Sequence, residues 1–131
     1  MVISPHLLDS VIAHALRETP NECCGLIAVR DGVAFAVSEL ENIHASPFRF
    51  EMDGQAQLRA MTEIEGSGAE VGAIYHSHTR SPPYPSPTDI NMAAWWPELE
   101  WLIVGTSGAE PEVRSYLIEG KEGKVTEVEL A

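Results

Sequence analysis

Two histidines separated by one residue, His76 and His78, close an apolar run from Val71 to Tyr75. Residues i and i+2 of a strand point to the same face, so two imidazoles emerge side by side. Neutral imidazoles at that spacing suit zinc, which accepts nitrogen and oxygen ligands and imposes no geometry of its own. A catalytic zinc site needs a third protein ligand and leaves its fourth position to water. Asp89 is the candidate, brought back by a loop stiffened by Pro82, Pro83, Pro85 and Pro87. A hydrolase also needs a group that takes a proton from water. Glu22 stands just before a strand in Pro20-Asn21-Glu22-Cys23-Cys24-Gly25, where Gly25 permits close approach of backbone or substrate.

Each piece also has a plain structural reading. Alternating strand positions hold a His-x-His by chance, and such histidines often hydrogen-bond structurally. Ser86 and Asp89 form a Ser-x-x-Asp capping box with Pro87 at the first helical position, which accounts for both residues without a metal. The two readings are compatible, since Ser86 can cap the helix while its hydroxyl faces the site. A glutamate after a helix is ordinarily a solvated charge, and residue chemistry alone does not select Glu22 from the 20 acidic residues.

The elements that must position these groups follow from pattern. Ser4-Pro5 starts a helix over 5–18, with Leu7, Leu8, Val11, Ile12 and Leu16 at helical spacing. A buried strand over 23–30 turns at Asp31-Gly32 into a returning strand over 33–37, and 38–47 is a loop. Phe48 to Met52 alternate like a short strand. Asp53 caps a second helix through about residue 65, with Leu58, Met61 and Ile64 inward. The strand at 71–75 runs into the histidines. A third helix follows Ser86 through about Trp96, ended by Pro97. Strands at 100–105, 112–119 and 124–129 complete the chain, the last two joined by Gly-Lys-Glu-Gly. Strands and helices intermixed predict one α/β domain over residues 1–131, a mixed central sheet flanked by helices.

Composition narrows the function class. Twenty acidic residues against eight basic ones leave a net charge of −12 over 131 residues, which argues against nucleic acid and anionic membrane surfaces as partners. No apolar run approaches a spanning helix, and the start carries no basic, apolar leader, so a cytoplasmic location is expected. Cys23 and Cys24 are adjacent and read as small buried hydrophobes rather than a disulfide. Arg80, just beyond the histidines, could meet a substrate carboxylate, although a solvated loop arginine is the plainer reading. Trp95 and Trp96 are neighbours and cannot share a helix face, so one is expected in the core and one partly exposed. His6, His14 and His44 lack partners at ligand spacing and read as structural or surface residues.

The pattern His76-x-His78, seven residues, Ser86, two residues, Asp89 resembles at every position the metal signature of the JAMM (MPN-plus) metalloprotease family. The upstream Pro-x-Glu-x-x-Gly at 20–25 resembles that family's glutamate motif, and the predicted element order agrees over nearly the whole chain. Ile74-Tyr75-His76-Ser77-His78-Thr79 and Tyr84-Pro85-Ser86 are most similar to the prokaryotic stand-alone members of the Mec type, linked to sulfur-carrier proteins and cysteine biosynthesis. The resemblance implies a layered fold shared with zinc deaminases, whose own His-x-Glu and Pro-Cys-x-x-Cys motifs are absent. It implies zinc on His76, His78 and Asp89, Glu22 as proton carrier and Ser86 as oxyanion donor. It further implies, as substrate, an adduct of a small ubiquitin-like carrier ending in Gly-Gly. A non-catalytic binding module of the same fold and a general cytosolic zinc peptidase are the competing expectations.

Overall fold

Burial of alternate residues along the central strands creates two apolar faces, and helices cover both. A computed structural model describes residues 1–131 in the order α1 (Pro5–Glu18), β1 (Cys24–Arg30), β2 (Val33–Leu40), α2 (Gly54–Gly66), β3 (Glu70–His78), α3 (Pro87–Ala93), β4 (Glu100–Gly105), β5 (Glu112–Glu119) and β6 (Lys124–Val128). The six strands form one sheet in the order β2-β1-β3-β4-β5-β6. Only β3 and β4 are parallel; every other neighbouring pair is antiparallel. The mixed α/β architecture expected from the sequence is therefore present.

The sheet divides the core by parity. Cys23, Ile27 and Val29, Ala73 and Tyr75, and Leu102 and Val104 pack with Val11 and Ala15 of α1. Cys24, Leu26 and Ala28, Ile74, and Trp101 pack on the other face with Ala60 and Ile64 of α2 and Ala93 of α3. His76 and His78 share the parity of Ile74, so the strand that builds the core delivers both imidazoles to the α2/α3 face. β3 and β4 are almost wholly buried, which explains their near-continuous apolar runs.

Helix starts obey their capping signals. Ser4 accepts from the Leu7 amide, and Asp53 accepts from the Ala56 amide. Four expectations need correction. The strand expected at Phe48–Met52 is absent: Phe50 and Met52 pack into the core, but the backbone of the segment meets residues 42–43 outside the sheet, through an Asn42–Met52 bridge, a bond from the Ile43 amide to the Glu51 carbonyl, and the Asn42 side chain. β2 runs to Leu40 rather than Val37, because Cys24 at the start of β1 pairs with Leu40. Leu58 points outward and is 65 % exposed; it lies about 200° around the helix from buried Ala60. α3 stops at Ala93, and tighter turns from Trp95 to Met92 and from Trp96 to Ala93 consume the last residues before Pro97. Trp95 is 83 % exposed, whereas Trp96 packs against the core, the split expected of the pair.

Candidate metal centre

The C-terminal end of β3 and the first turn of α3 meet on one face of the sheet. There His76 Nε2, His78 Nε2 and Asp89 Oδ2 converge, each 3.1 Å from the other two. All three residues are buried. Ligands of a tetrahedral zinc site with ~2.0 Å bonds stand about 3.3 Å apart, so this triangle has the dimensions of one face of such a site.

The protonation pattern also fits a metal. His78 Nδ1 lies 2.8 Å from the Pro82 carbonyl, and that carbonyl can only accept, so the ring proton sits on Nδ1. The Nε2 lone pair of His78 then faces a carboxylate oxygen and a second imidazole nitrogen. Such an arrangement needs a cation at its middle, either a proton or a metal ion. Burial works against charge on Asp89, yet the His76 and His78 rings beside it and the Ser86 amide hold its carboxyl well below the usual range. Burial pushes the His76 ring toward its neutral, ligating form. His76 Nδ1 has no protein partner, and the ring is held by stacking on Phe50, at 4.5 Å between centroids, and by an edge contact to Trp101, at 5.8 Å.

Ser86 and Asp89 realise both readings of their spacing. The Ser86 hydroxyl oxygen accepts from the Asp89 amide at 3.1 Å, and Asp89 Oδ2 accepts from the Ser86 amide at 2.9 Å. The box therefore fixes the oxygen that faces the two histidines, the kind of contact that supports a metal ligand. Accepting that bond leaves the Ser86 hydroxyl proton free to donate elsewhere.

Glu22 is the second carboxylate at the centre. Of the 20 acidic residues, only Glu22 and Asp89 are buried. Burial pushes the Glu22 carboxyl up to about 8; the Asp89 charge adds to the rise and His78 opposes it. Register explains the proximity. Cys24 pairs with His76 across β1 and β3, and the Ser77 amide bonds to the Cys23 carbonyl, so the residue before Cys23 enters beside the end of β3.

Three residues that hold this geometry were not evident in the sequence. Asn42 donates from Nδ2 to the carbonyls of Glu22 and Arg49 and accepts on Oδ1 from the amides of His44 and Glu51, so it joins the Glu22 segment to the 42–52 loop. Ser77 Oγ accepts from the Cys23 amide at 2.8 Å and locks β1 to β3. Thr79 Oγ1 lies 3.0 Å from the Pro20 carbonyl and 3.2 Å from that of Pro47. An asparagine before a proline-containing loop is a turn signal, and that is the only hint the sequence carried.

The remaining candidates fall outside the centre. His14 is buried with its Nδ1 2.7 Å from the Tyr75 hydroxyl, on the α1 face. His44 pairs with Glu51 and His6 is exposed. Cys23 and Cys24 are free and buried, and burial raises both thiols, to about 11 and about 12, so neither offers a reactive thiolate. Arg80 lies with its guanidinium over the exposed Phe48 ring. No helix is long and apolar enough to cross a membrane.

Comparison with known proteins agrees with this geometry. The family model described as prokaryotic homologs of the JAB domain matches residues 4–119. A "Probable TtuB-protein conjugate cleaving protease" of Thermus thermophilus is 42 % identical over 118 residues, covering 88 % of this chain and 75 % of that protein. A "CysO-cysteine peptidase" of Mycobacterium tuberculosis is 34 % identical over 130 residues, covering 97 % of this chain and 87 % of its own. The solution structure of a Desulfitobacterium hafniense protein superimposes with a TM-score of 0.86 at 33 % identity, covering 99 % of this chain and 90 % of that one.

Proposed function

The chain belongs to the prokaryotic JAB-domain family, and from that premise we propose that residues 1–131 form one zinc-dependent hydrolase domain. Its reaction is cleavage of the peptide or isopeptide bond after the C-terminal Gly-Gly of a small ubiquitin-like or sulfur-carrier protein. The reading draws its substrate class from relatives named for TtuB conjugates and for CysO-cysteine. The observation that carries it is the triangle of three buried donor atoms beside the one other buried carboxylate, Glu22. A binding module that has lost its ligands is the weaker reading, because this chain keeps all three.

His76, His78 and Asp89 would hold the ion. When bound, zinc supplies Lewis acidity, bringing the pKa of water toward roughly 7 and polarising a carbonyl. Glu22 accepts the proton that water loses as it adds to the glycine carbonyl, and then delivers it to the departing amine nitrogen. A carboxyl raised by burial holds a proton well enough to carry it, and beside a bound cation Glu22 would begin and end the cycle as the carboxylate. The Ser86 hydroxyl, with its proton free, donates to the carbonyl oxygen as negative charge grows there. Asp89 stays ionised throughout, held by the Ser86 amide. The products are a carrier with a Gly-Gly carboxylate and a free amine.

The test is incubation of zinc-loaded protein with the carriers TtuB and CysO, each extended beyond Gly-Gly by cysteine or by a lysine side-chain linkage, read by intact mass. Cleavage at the terminal glycine is expected, with Glu22→Gln inactive. Cleavage of unrelated peptides at equal rates would replace the carrier-specific reading with that of a general zinc peptidase. A wild-type rate in Glu22→Gln would remove the mechanism.

A further inference from the structure

Resting on the hydrolase reading above, we propose that Arg80 binds the free α-carboxylate of the released residue, making the site selective for a single amino acid following Gly-Gly. Arg80 comes two residues after the ligand His78, so its Cα lies within about 7 Å of that residue's Cα. Thr79 between them is fixed by its contacts to the carbonyls of Pro20 and Pro47. One of those segments leads into Glu22 and the other into Phe48. The guanidinium therefore leaves the backbone at the junction of the centre with its rim.

The guanidinium is held by an aromatic face rather than by an anion. It lies 5.2 Å from the centroid of Phe48, which is 71 % exposed, and the next aromatic along the chain, Phe50, stacks on His76. Stacking orients the planar group while leaving its N–H donors unused. Arg17 and Arg114 are paired with glutamates, whereas Arg30, Arg49, Arg59 and Arg80 form no ion pair; of these four, Arg80 is the one set two residues beyond a histidine of the triangle. A planar cation left unpaired in so acidic a protein is available to a carboxylate from outside.

The chemistry of the leaving group supplies that carboxylate. In a residue joined by its α-amine, the scissile nitrogen and the carboxyl carbon are two bonds apart, about 2.5 Å. A free carboxylate there adds a third negative charge to a centre whose Glu22 and Asp89 carboxylates already balance one bound dication, so a further cation beside it favours binding. A lysine joined through its ε-amine places no carboxylate at that position. Arg80 thus separates a single terminal residue from an isopeptide-linked protein by charge alone.

The test uses zinc-loaded full chain and the TtuB and CysO carriers extended by one cysteine, as free acid and as C-terminal amide. Wild type should favour the acid over the amide about tenfold in kcat/KM, with the difference in KM. Arg80→Ala should bring the two within twofold by slowing the acid only, and Arg80→Lys should retain part of the preference. Binding gives a second readout. Glu22→Gln protein should bind the acid about tenfold more tightly than the amide by calorimetry, and Arg80→Ala in that background should remove the difference. Equal rates for acid and amide in wild type, or an Arg80→Ala variant slowed equally on both, would overturn the assignment while leaving the hydrolase reading intact. Cleavage of neither adduct by zinc-loaded wild type would overturn the hydrolase reading, and this inference with it.

Discussion

β3 carries two buried imidazole systems through its alternating faces, and they differ in how their polar groups are satisfied. On the α1 face, Tyr75 meets His14 at 2.7 Å, a single hydroxyl–imidazole bond between groups that burial keeps neutral. On the other face, one residue along, His76 joins His78 and Asp89 in a triangle of donor atoms, with Glu22 beside it. The first pair needs nothing from outside: one proton joins the two groups, and His14 Nε2 faces Glu18 at 3.9 Å and Glu39 at 4.0 Å. The second concentrates two ionisable carboxyls and two rings in a buried pocket, and leaves His76 Nδ1 without a protein partner. Burial of a histidine is therefore no sign of function by itself. What marks the site is a set of lone pairs pointing at one another, an arrangement that costs stability unless a cation resolves it.

Removing a member of the triangle should have the largest effect. His78→Ala takes away a donor and the ring that binds the Pro82 carbonyl, so metal binding and adduct hydrolysis should fall together, hydrolysis by at least about 10³-fold, read by intact mass and metal content. Glu22→Gln should come next, losing roughly 10²- to 10⁴-fold in rate while keeping its metal. Ser86→Ala should lose roughly 10²-fold in rate and, because the cap goes with the hydroxyl, about 0.5–2 kcal/mol of stability by denaturant melts. Tyr75→Phe, on the other face, should cost about 1–3 kcal/mol by leaving His14 Nδ1 unpaired, with metal content and rate unchanged. A Tyr75→Phe variant that lost metal would erase the distinction between the faces.

Acidity sharpens the same contrast. The Glu22 carboxyl is raised to about 8 in the fold, above its unfolded value of about 4.3. Between those values the native state binds the extra proton, so the contribution of Glu22 to metal-free stability falls as pH rises and levels off above pH ~8. Glu22→Gln has no such penalty. Its melting temperature in the metal-free state should match wild type near pH 4 and exceed it by a growing margin up to about pH 8. A constant offset across that range would contradict the burial of an ionisable Glu22.

Much of this was readable because local chemistry and global fold agree. Period-two spacing put His76 and His78 on one face, and the Ser86-Pro87-x-Asp89 cap recurs as a capping box around the Asp89 oxygen that meets them. The helix at 5–18 ends where its pattern ends. Glu22 was not selectable by residue chemistry among 20 acids, because its burial depends on strand register and on the Asn42 side chain holding its carbonyl. The apparent strand at 48–52 failed for the same reason: alternation reports which side chains want burial, and no sheet edge was there to receive the backbone. Leu58 shows the limit of counting apolar residues without fixing the helix phase.

The central claim is that the buried triangle exists to hold a metal. Its most direct test is the zinc content of purified protein after metal stripping and reloading, measured by mass spectrometry for wild type, His76→Ala and Tyr75→Phe. The expected result is about one zinc per chain in wild type and Tyr75→Phe and none retained by His76→Ala. Wild type that retains no zinc, or His76→Ala that retains as much as wild type, would contradict the account.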